Sequence, residues 1–394
     1  MKCLSKFLLV FLVFLAFSLV KKGHGQFGEV VPPPVDEVER LSLDPFYEKY
    51  LSYKGFPIVS SGRVSDYALK EAAFLIEQMI GKRKDIIGAL IENKVRLAIM
   101  APDEFTTDIP EHATLEPKAY WDKRARGLGA SKERPAISVG EENLLNYPGD
   151  PYSTESIMIH EFAHAIHLMG LNTVDPEFQD SLEQAFTRAA IAGLWKGKYA
   201  GINPAEYWAE GVQSWFNTNR ENDHDHNHVD TREELKQYDS GLAALTGSVF
   251  GDDEWVYVAP RDRGGFEGHL SGYGRSSAPE FSWPEEMVKA YTALDQGEGL
   301  GLVELQPMKA LKEKDTTVES GKAITLRFDN QSDQRISVVW VGFDGIRRSY
   351  QKIDPDRKYN QPTYGEHLWI VVGEEGKDLG WFRAPAADSR VQVK

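Results

Sequence analysis

Cysteine is almost missing from this chain: Cys3 is the only one in 394 residues, and it stands ahead of the N-terminal apolar run. The chain therefore has no internal disulfide, and once an N-terminal segment is removed it has no thiol chemistry either. Folding has to rest on core packing, on metal, or on both. Positive charge is also in deficit, with 45 Lys and Arg against 60 Asp and Glu, a formal net charge of -15. Nucleic acid and anionic membrane surfaces are poor partners for such a chain. No long apolar run follows residue 20, so the mature chain is expected to be soluble and free of membrane spans. There is no internal repeat. What remains is 41% hydrophobic and 27% charged, an ordinary globular composition long enough for two or three domains.

The N-terminus reads as a secretory signal. Lys2 and Lys6 precede an apolar stretch over residues 7–20, too short to cross a bilayer comfortably. Gly23-His24-Gly25 offers small residues for cleavage before Gln26, giving a signal peptide over 1–25; the alternative is a signal anchor. The expected location is extracellular, or periplasmic in a bacterium.

Residues 26–40 read as an extended, proline-containing leader. A helical period begins at Ser65 and a strand covers residues 95–100. Residues 124–134 form a basic, glycine-containing loop. Residues 135–140 read as a short strand, assigned by its order in the chain to the edge of a cleft. Helical patterns follow over residues 180–195, 203–216 and 284–294, with loops at 222–230 and 261–277. The three histidines of the first loop, His224, His226 and His228, favour a solvated segment over a surface metal site. A polar linker spans 311–320, and short alternating strands follow it.

The centre of the sequence is His160-Glu161-Phe162-Ala163-His164. On a helix, residues i and i+4 stand about 40° apart around the axis and about 6 Å apart along it. Both imidazoles can reach one zinc ion, and Glu161 can take a proton from zinc-bound water. Ser153 or Thr154 is the expected cap of this helix and Gly170 its expected end. Apolar residues cover the face away from the histidines. Zinc with an open position for water needs a third ligand. His167 lies further along the same stripe and is not favoured. Glu206-Tyr207-Trp208-Ala209-Glu210 puts two carboxylates on one helical face; one can bind metal and the other can accept the free N–H of a ligand histidine. Against this, Asn203-Pro204-Ala205-Glu206 also fits a helix start in which Glu206 serves a capping box.

Together the pentapeptide and the downstream Glu-x-x-x-Glu resemble the gluzincin metallopeptidases. The 42-residue step from His164 to Glu206, with Tyr199 seven residues before Glu206, is similar to their lethal-factor-like branch. The resemblance covers residues 150–216. It implies a zincin-like fold over 26–312, Zn2+ held by His160, His164 and Glu206, Glu161 as general base, Glu210 behind the ligands and Tyr199 as oxyanion donor. Tyr199 also reads as an ordinary loop aromatic.

Beyond the linker, Asp-Gly and Asp-Pro turns between alternating strands give a small β-sandwich over 317–394. Residues 339–345 (Val-Trp-Val-Gly-Phe-Asp-Gly), then Tyr350, then 364–369 (Tyr-Gly-Glu-His-Leu-Trp), resemble the β domain of the von Hippel–Lindau tumour suppressor. The resemblance implies a peptide pocket of Trp340, Tyr350, Thr363, His367 and Trp369 that takes hydroxyproline. A pocket histidine of that family is replaced here by Pro362, and no helical adaptor-binding domain follows. Trp340 and Trp369 also read as core aromatics. The expectation is an α+β chain with a catalytic domain followed by an all-β sandwich. It would be a secreted zinc endopeptidase whose C-terminal module targets hydroxyproline-bearing extracellular protein. The alternative is a secreted binding protein whose zincin domain is inert.

Overall fold

The structure, a computed structural model, describes residues 27–296, 302–308, 316–318, 323–343 and 345–394. The expected signal segment and most of the 311–320 linker lie outside the described residues. The chain is α+β, with helices and one mixed sheet first and an all-β region at the C-terminus. Among the described residues, no helix is long and apolar enough to cross a membrane.

The leader is not extended throughout. Pro34 caps a short helix, α1 (Val35–Leu41), with Asp36 and Glu37 in its first turn and Arg40 in its last. That charge order suits the helix dipole, and Arg40 pairs with Glu37 at 2.6 Å. A hairpin follows, β1 (Lys49–Tyr53) and β2 (Phe56–Ser60), turned at Lys54 and Gly55, both with positive φ. Helices α2 (Asp66–Ile80) and α3 (Lys84–Glu92) carry the chain across to β3 (Arg96–Met100), which runs parallel to β2. Then come α4 (Lys118–Arg124), β4 (Gly127–Leu128), β5 (Ala136–Gly140) and α5 (Glu141–Leu144).

The sheet order is β1-β2-β3-β5-β4, with β5 parallel to β3 and β4 antiparallel to β5. Residues 135–140, assigned to a cleft edge, are therefore not at the edge of the sheet. Strand β5 is interior, fully buried, and the edge is the two-residue β4 inside the basic loop. Glycine permits this approach. A Cβ at Gly127 would collide with Ile157 and stand 3.0 Å from Glu161 Cγ, and one at Gly129 would stand 2.8 Å from His164 Cβ. The edge backbone lies directly on the helix that carries the histidines.

That helix is α6 (Ile157–Ala165), and Ser156, not Ser153 or Thr154, caps it by accepting from Ile159 N–H. It does not stop at Gly170. A π-helical segment, Ile166–Leu171, continues it into α7 (Asn172–Val174), and Gly170 is buried against Ile86. Helices α8 (Phe178–Ile191), α9 (Pro204–Trp215), α10 (Arg232–Tyr238), α11 (Ser240–Phe250) and α12 (Glu285–Gln296) complete the first part. One large apolar core joins the sheet to α2, α3, α6, α8, α9 and α11.

The C-terminal strands are β6 (Val303–Glu304), β7 (Ala323–Asn330), β8 (Ile336–Val341), β9 (Arg347–Ile353), β10 (Lys358–Tyr364), β11 (Leu368–Val372), β12 (Asp378–Arg383) and β13 (Ser389–Val393). They form two four-stranded sheets, β10-β7-β13-β6 and β12-β11-β8-β9, around a separate core that includes Leu326, Phe328, Val338, Trp369 and Val391. The sandwich reaches back beyond residue 317: β6 pairs with β13, Leu305 packs on this core, and Met308 N–H bonds Trp381 O at 2.8 Å.

Candidate metal centre and the adjoining aromatic cluster

Helices α6 and α9 cross in the core, locked by the buried Trp208 indole, which donates to Ala163 O at 2.9 Å. Asn203 caps α9 by accepting from Glu206 N–H at 2.9 Å. Glu206 does not turn back to close a capping box; its carboxylate goes to the histidines. The crossing brings His160, His164 and Glu206 together, with one ligand atom from each inside a 4.8 Å circle. His160 Nε2 and His164 Nε2 are 3.1 Å apart, and Glu206 Oε2 lies 3.3 Å from each. Ligands at zinc-bond lengths in a tetrahedron stand about 3.3–3.4 Å from one another. The three atoms have the spacing of one face of such a tetrahedron. Glu206 Oε2 is buried and makes no hydrogen bond, an unmet demand that a cation would satisfy.

The electrostatics point the same way. Burial alone would lower the His160 pKa, but Glu206, with Glu161 and Glu210, overcomes it and raises it to about 10. Burial alone would raise that of Glu206, yet His164 and His160 hold it well below the usual carboxylate range. Imidazole and carboxylate each stabilise the charged form of the other.

The His160 ring is oriented by a residue not singled out in the sequence. His160 Nδ1 is 2.8 Å from Gln213 Oε1, whose amide nitrogen donates to Glu155. Gln213 therefore accepts the Nδ1 proton and leaves Nε2 free toward Glu206. Glu210, the expected acceptor, stands 3.6 Å from Nδ1. Its other oxygen accepts from Asn219 at 3.0 Å and lies 3.3 Å from His226 Nε2. His226 is only 4% exposed and also bonds Asp223, so the histidine-rich loop is solvated at His224 and His228 but not here. Burial lowers the His226 pKa; Glu210 outweighs it and raises it. His167 is buried on Gln179 at 2.7 Å, and burial lowers its pKa to about 4; it is not in the cluster.

Glu161 and Tyr199 line a cleft of about 240 Å³ with Arg124, Tyr152, His160 and Arg220. Burial raises the Glu161 pKa against the pull of both histidines. Tyr199 opens the turn before α9, its ring centroid 6.4 Å from that of His160. The Glu206 charge, followed by burial, pushes the phenol pKa well up, so Tyr199 keeps its proton as a donor.

The five residues expected to form the sandwich pocket are also together. Trp340 and Trp369 face each other across β8 and β11. The Trp340 ring lies 5.5 Å from His367 and 6.3 Å from Tyr350, and Tyr350 lies 5.1 Å from Trp369. Trp369 Nε1 donates to Thr363 Oγ1 at 3.1 Å, and Thr363 Oγ1 is 3.1 Å from His367 Nδ1. Thr363 Oγ1 therefore joins Trp369 to His367, with the direction of the bond to Nδ1 set by the His367 tautomer. Burial lowers the His367 pKa to about 4, so the ring is neutral. Trp369 is a core residue, 2% exposed, whereas Tyr350 is 40% exposed.

The two sites adjoin. Asn203, the cap of α9, donates to Ser349 O at 3.3 Å, and Lys352 donates to Gly201 O at 3.4 Å. Strand β9 thus lies along the turn that carries Tyr199, and the Glu206 charge acts on Tyr350.

Residues 316–379 match the VHL beta domain family, which supports the likeness of the C-terminal module to that domain. No curated protein matches the chain. Among solved structures, an NMR structure of a protein from Eubacterium rectale is 19% identical over 22% of this chain and 84% of that one, with a TM-score of 0.14; so slight a likeness carries no argument.

Proposed function

We propose that this chain is a secreted, zinc-dependent metalloendopeptidase of the gluzincin type, with a zincin-like domain and a C-terminal module that selects substrate. The observation that carries the reading is the face formed by His160, His164 and Glu206 at zinc-ligand spacing, with Glu161 and Tyr199 in the cleft beside it. A bound zinc would acidify a water molecule and polarise the scissile carbonyl. Glu161 takes the proton of the attacking water and returns it to the leaving amine. Its raised pKa suits that exchange. Tyr199 donates to the oxyanion. Edge strand β4, the outer strand of the sheet, would pair with an extended substrate. Gln213 holds the His160 tautomer.

In the sandwich, the rings of Trp340, Tyr350 and Trp369 suit a proline ring, and the neutral His367 with Thr363 suits its hydroxyl. The substrates would then be hydroxyproline-bearing extracellular chains, such as collagen-like proteins. Tight binding of hydroxyprolyl over prolyl peptides supports this selection, and equal binding of both rejects it.

The test of catalysis is Glu161→Gln. The variant should keep stoichiometric zinc and lose peptide cleavage by about 10²–10⁴-fold. Zinc-loaded wild-type protein that cleaves nothing in a diverse peptide library would favour a binding protein with an inert zincin domain.

A further inference from the structure

Three arginines line the cleft beside Glu161 and His160, and two are already committed. The buried Arg126 makes a two-point ion pair with Glu142 at 2.6 and 2.9 Å. Arg220 pairs with Glu155 at 2.8 Å and with Asp223 at 3.2 Å. Arg124 is different. It ends α4 and its side chain is exposed in the cleft, with its backbone carbonyl fixed by the Tyr152 hydroxyl at 2.8 Å. Among the described residues, no carboxylate pairs with its guanidinium and no acceptor bonds it.

The surroundings isolate that charge. Tyr120, Tyr152 and Tyr199 from the first part of the chain, and Tyr359 from β10, stand within electrostatic reach of it. Of the acids lining the cleft, Glu161 feels its charge. A guanidinium keeps its charge at any working pH and offers a planar fork that fits a carboxylate with two parallel bonds. An unpaired arginine in a chain of net charge -15 is not there for want of acids to pair with. It lines the same cleft as Glu161, His160 and Tyr199.

We propose that Arg124 is a specificity-determining residue that binds a substrate carboxylate in this cleft, through the juxtaposition of its unpaired guanidinium with Glu161 and His160. The carboxylate comes either from an Asp or Glu side chain near the scissile bond or from a free C-terminus. This deepens the peptidase reading and rests on it for the word substrate, but its test is binding, which does not need turnover.

Zinc-loaded Glu161→Gln protein is titrated calorimetrically with four matched peptides, carrying Glu or Gln at one position and ending in a free acid or an amide. Affinity should be roughly 10- to 100-fold higher for the peptide with the preferred carboxylate, as expected for a charge-assisted two-point pair. Arg124→Ala, added to Glu161→Gln, should abolish the difference, and Arg124→Lys should restore part of it. A Glu-over-Gln preference assigns the side chain, and an acid-over-amide preference assigns the C-terminus. Equal binding of all four peptides would overturn the proposal, as would an Arg124→Ala loss equal for all four, which marks a structural role. Wild-type protein that binds with the carboxylate preference but cleaves none of the four would sink the peptidase reading and leave the proposal standing.

Discussion

His160 and His367 are the same side chain in two opposite settings. His160 is buried among three carboxylates, which raise its pKa to about 10 against the effect of burial. His367 is partly buried among aromatic rings, with only Thr363 bonded to its Nδ1, and its pKa falls to about 4. The first setting favours a charged ring; the second keeps the ring neutral. Charge organises the first site and shape organises the second, and the turn at residues 199–203 binds one to the other.

Removing a ligand should produce the largest difference between the two regions. Glu206→Ala should abolish stoichiometric zinc binding, measured on dialysed protein, while hydroxyprolyl-peptide affinity stays within about twofold, because the sandwich core is separate. Trp369→Ala should do the reverse. It opens a cavity in the sandwich core and should cost about 3–5 kcal/mol in the denaturant unfolding of that module, with zinc stoichiometry unchanged. Gln213→Ala frees the His160 tautomer and should weaken zinc about 10- to 100-fold in a chelator competition. Glu210→Ala should weaken it less, since Glu210 is mainly engaged with Asn219 and His226.

The smallest effect is on pH. The unfolded His367 titrates at about 6.5 and the folded one at about 4, so the folded state binds fewer protons between these values. The stability linked to this ring is complete above about pH 6.5 and is lost as pH falls toward 4. His367→Gln should remove that part of the acid sensitivity in thermal melts. Peptide affinity for the wild type should stay flat from pH 8 to 5, because the ring remains neutral. A drop centred near pH 6.5 would contradict the burial that distinguishes this pocket.

How much of this was legible in the sequence follows from the range of each interaction. His160, Glu161 and His164 share one helix, so their spacing alone displays them. Glu206 was visible because Glu-x-x-x-Glu has its own helical period, and the cap at Asn203 proved compatible with its pointing at the histidines. Gln213 was not visible, although it lies one turn beyond Glu210 on the same face, because its role depends on where α9 crosses α6. Strand β4 is two residues long, too short for a periodic signal; the glycines at 127 and 129 were its only mark. His226 looked like its solvated neighbours, since nothing local shows that Glu210 lies above it. The five aromatic-site residues of the sandwich were named through the resemblance to the von Hippel–Lindau β domain, whereas β6 is joined to its sheet by a pairing that no local pattern reports.

The central claim is that His160, His164 and Glu206 hold one zinc ion. Its most direct test is calorimetric titration of metal-stripped wild-type, His160→Ala and Glu206→Ala proteins with zinc, with circular dichroism confirming that each is folded. The prediction is one ion per wild-type chain and none bound stoichiometrically by either variant. Undiminished binding by the two folded variants, or none by the wild type, would contradict it.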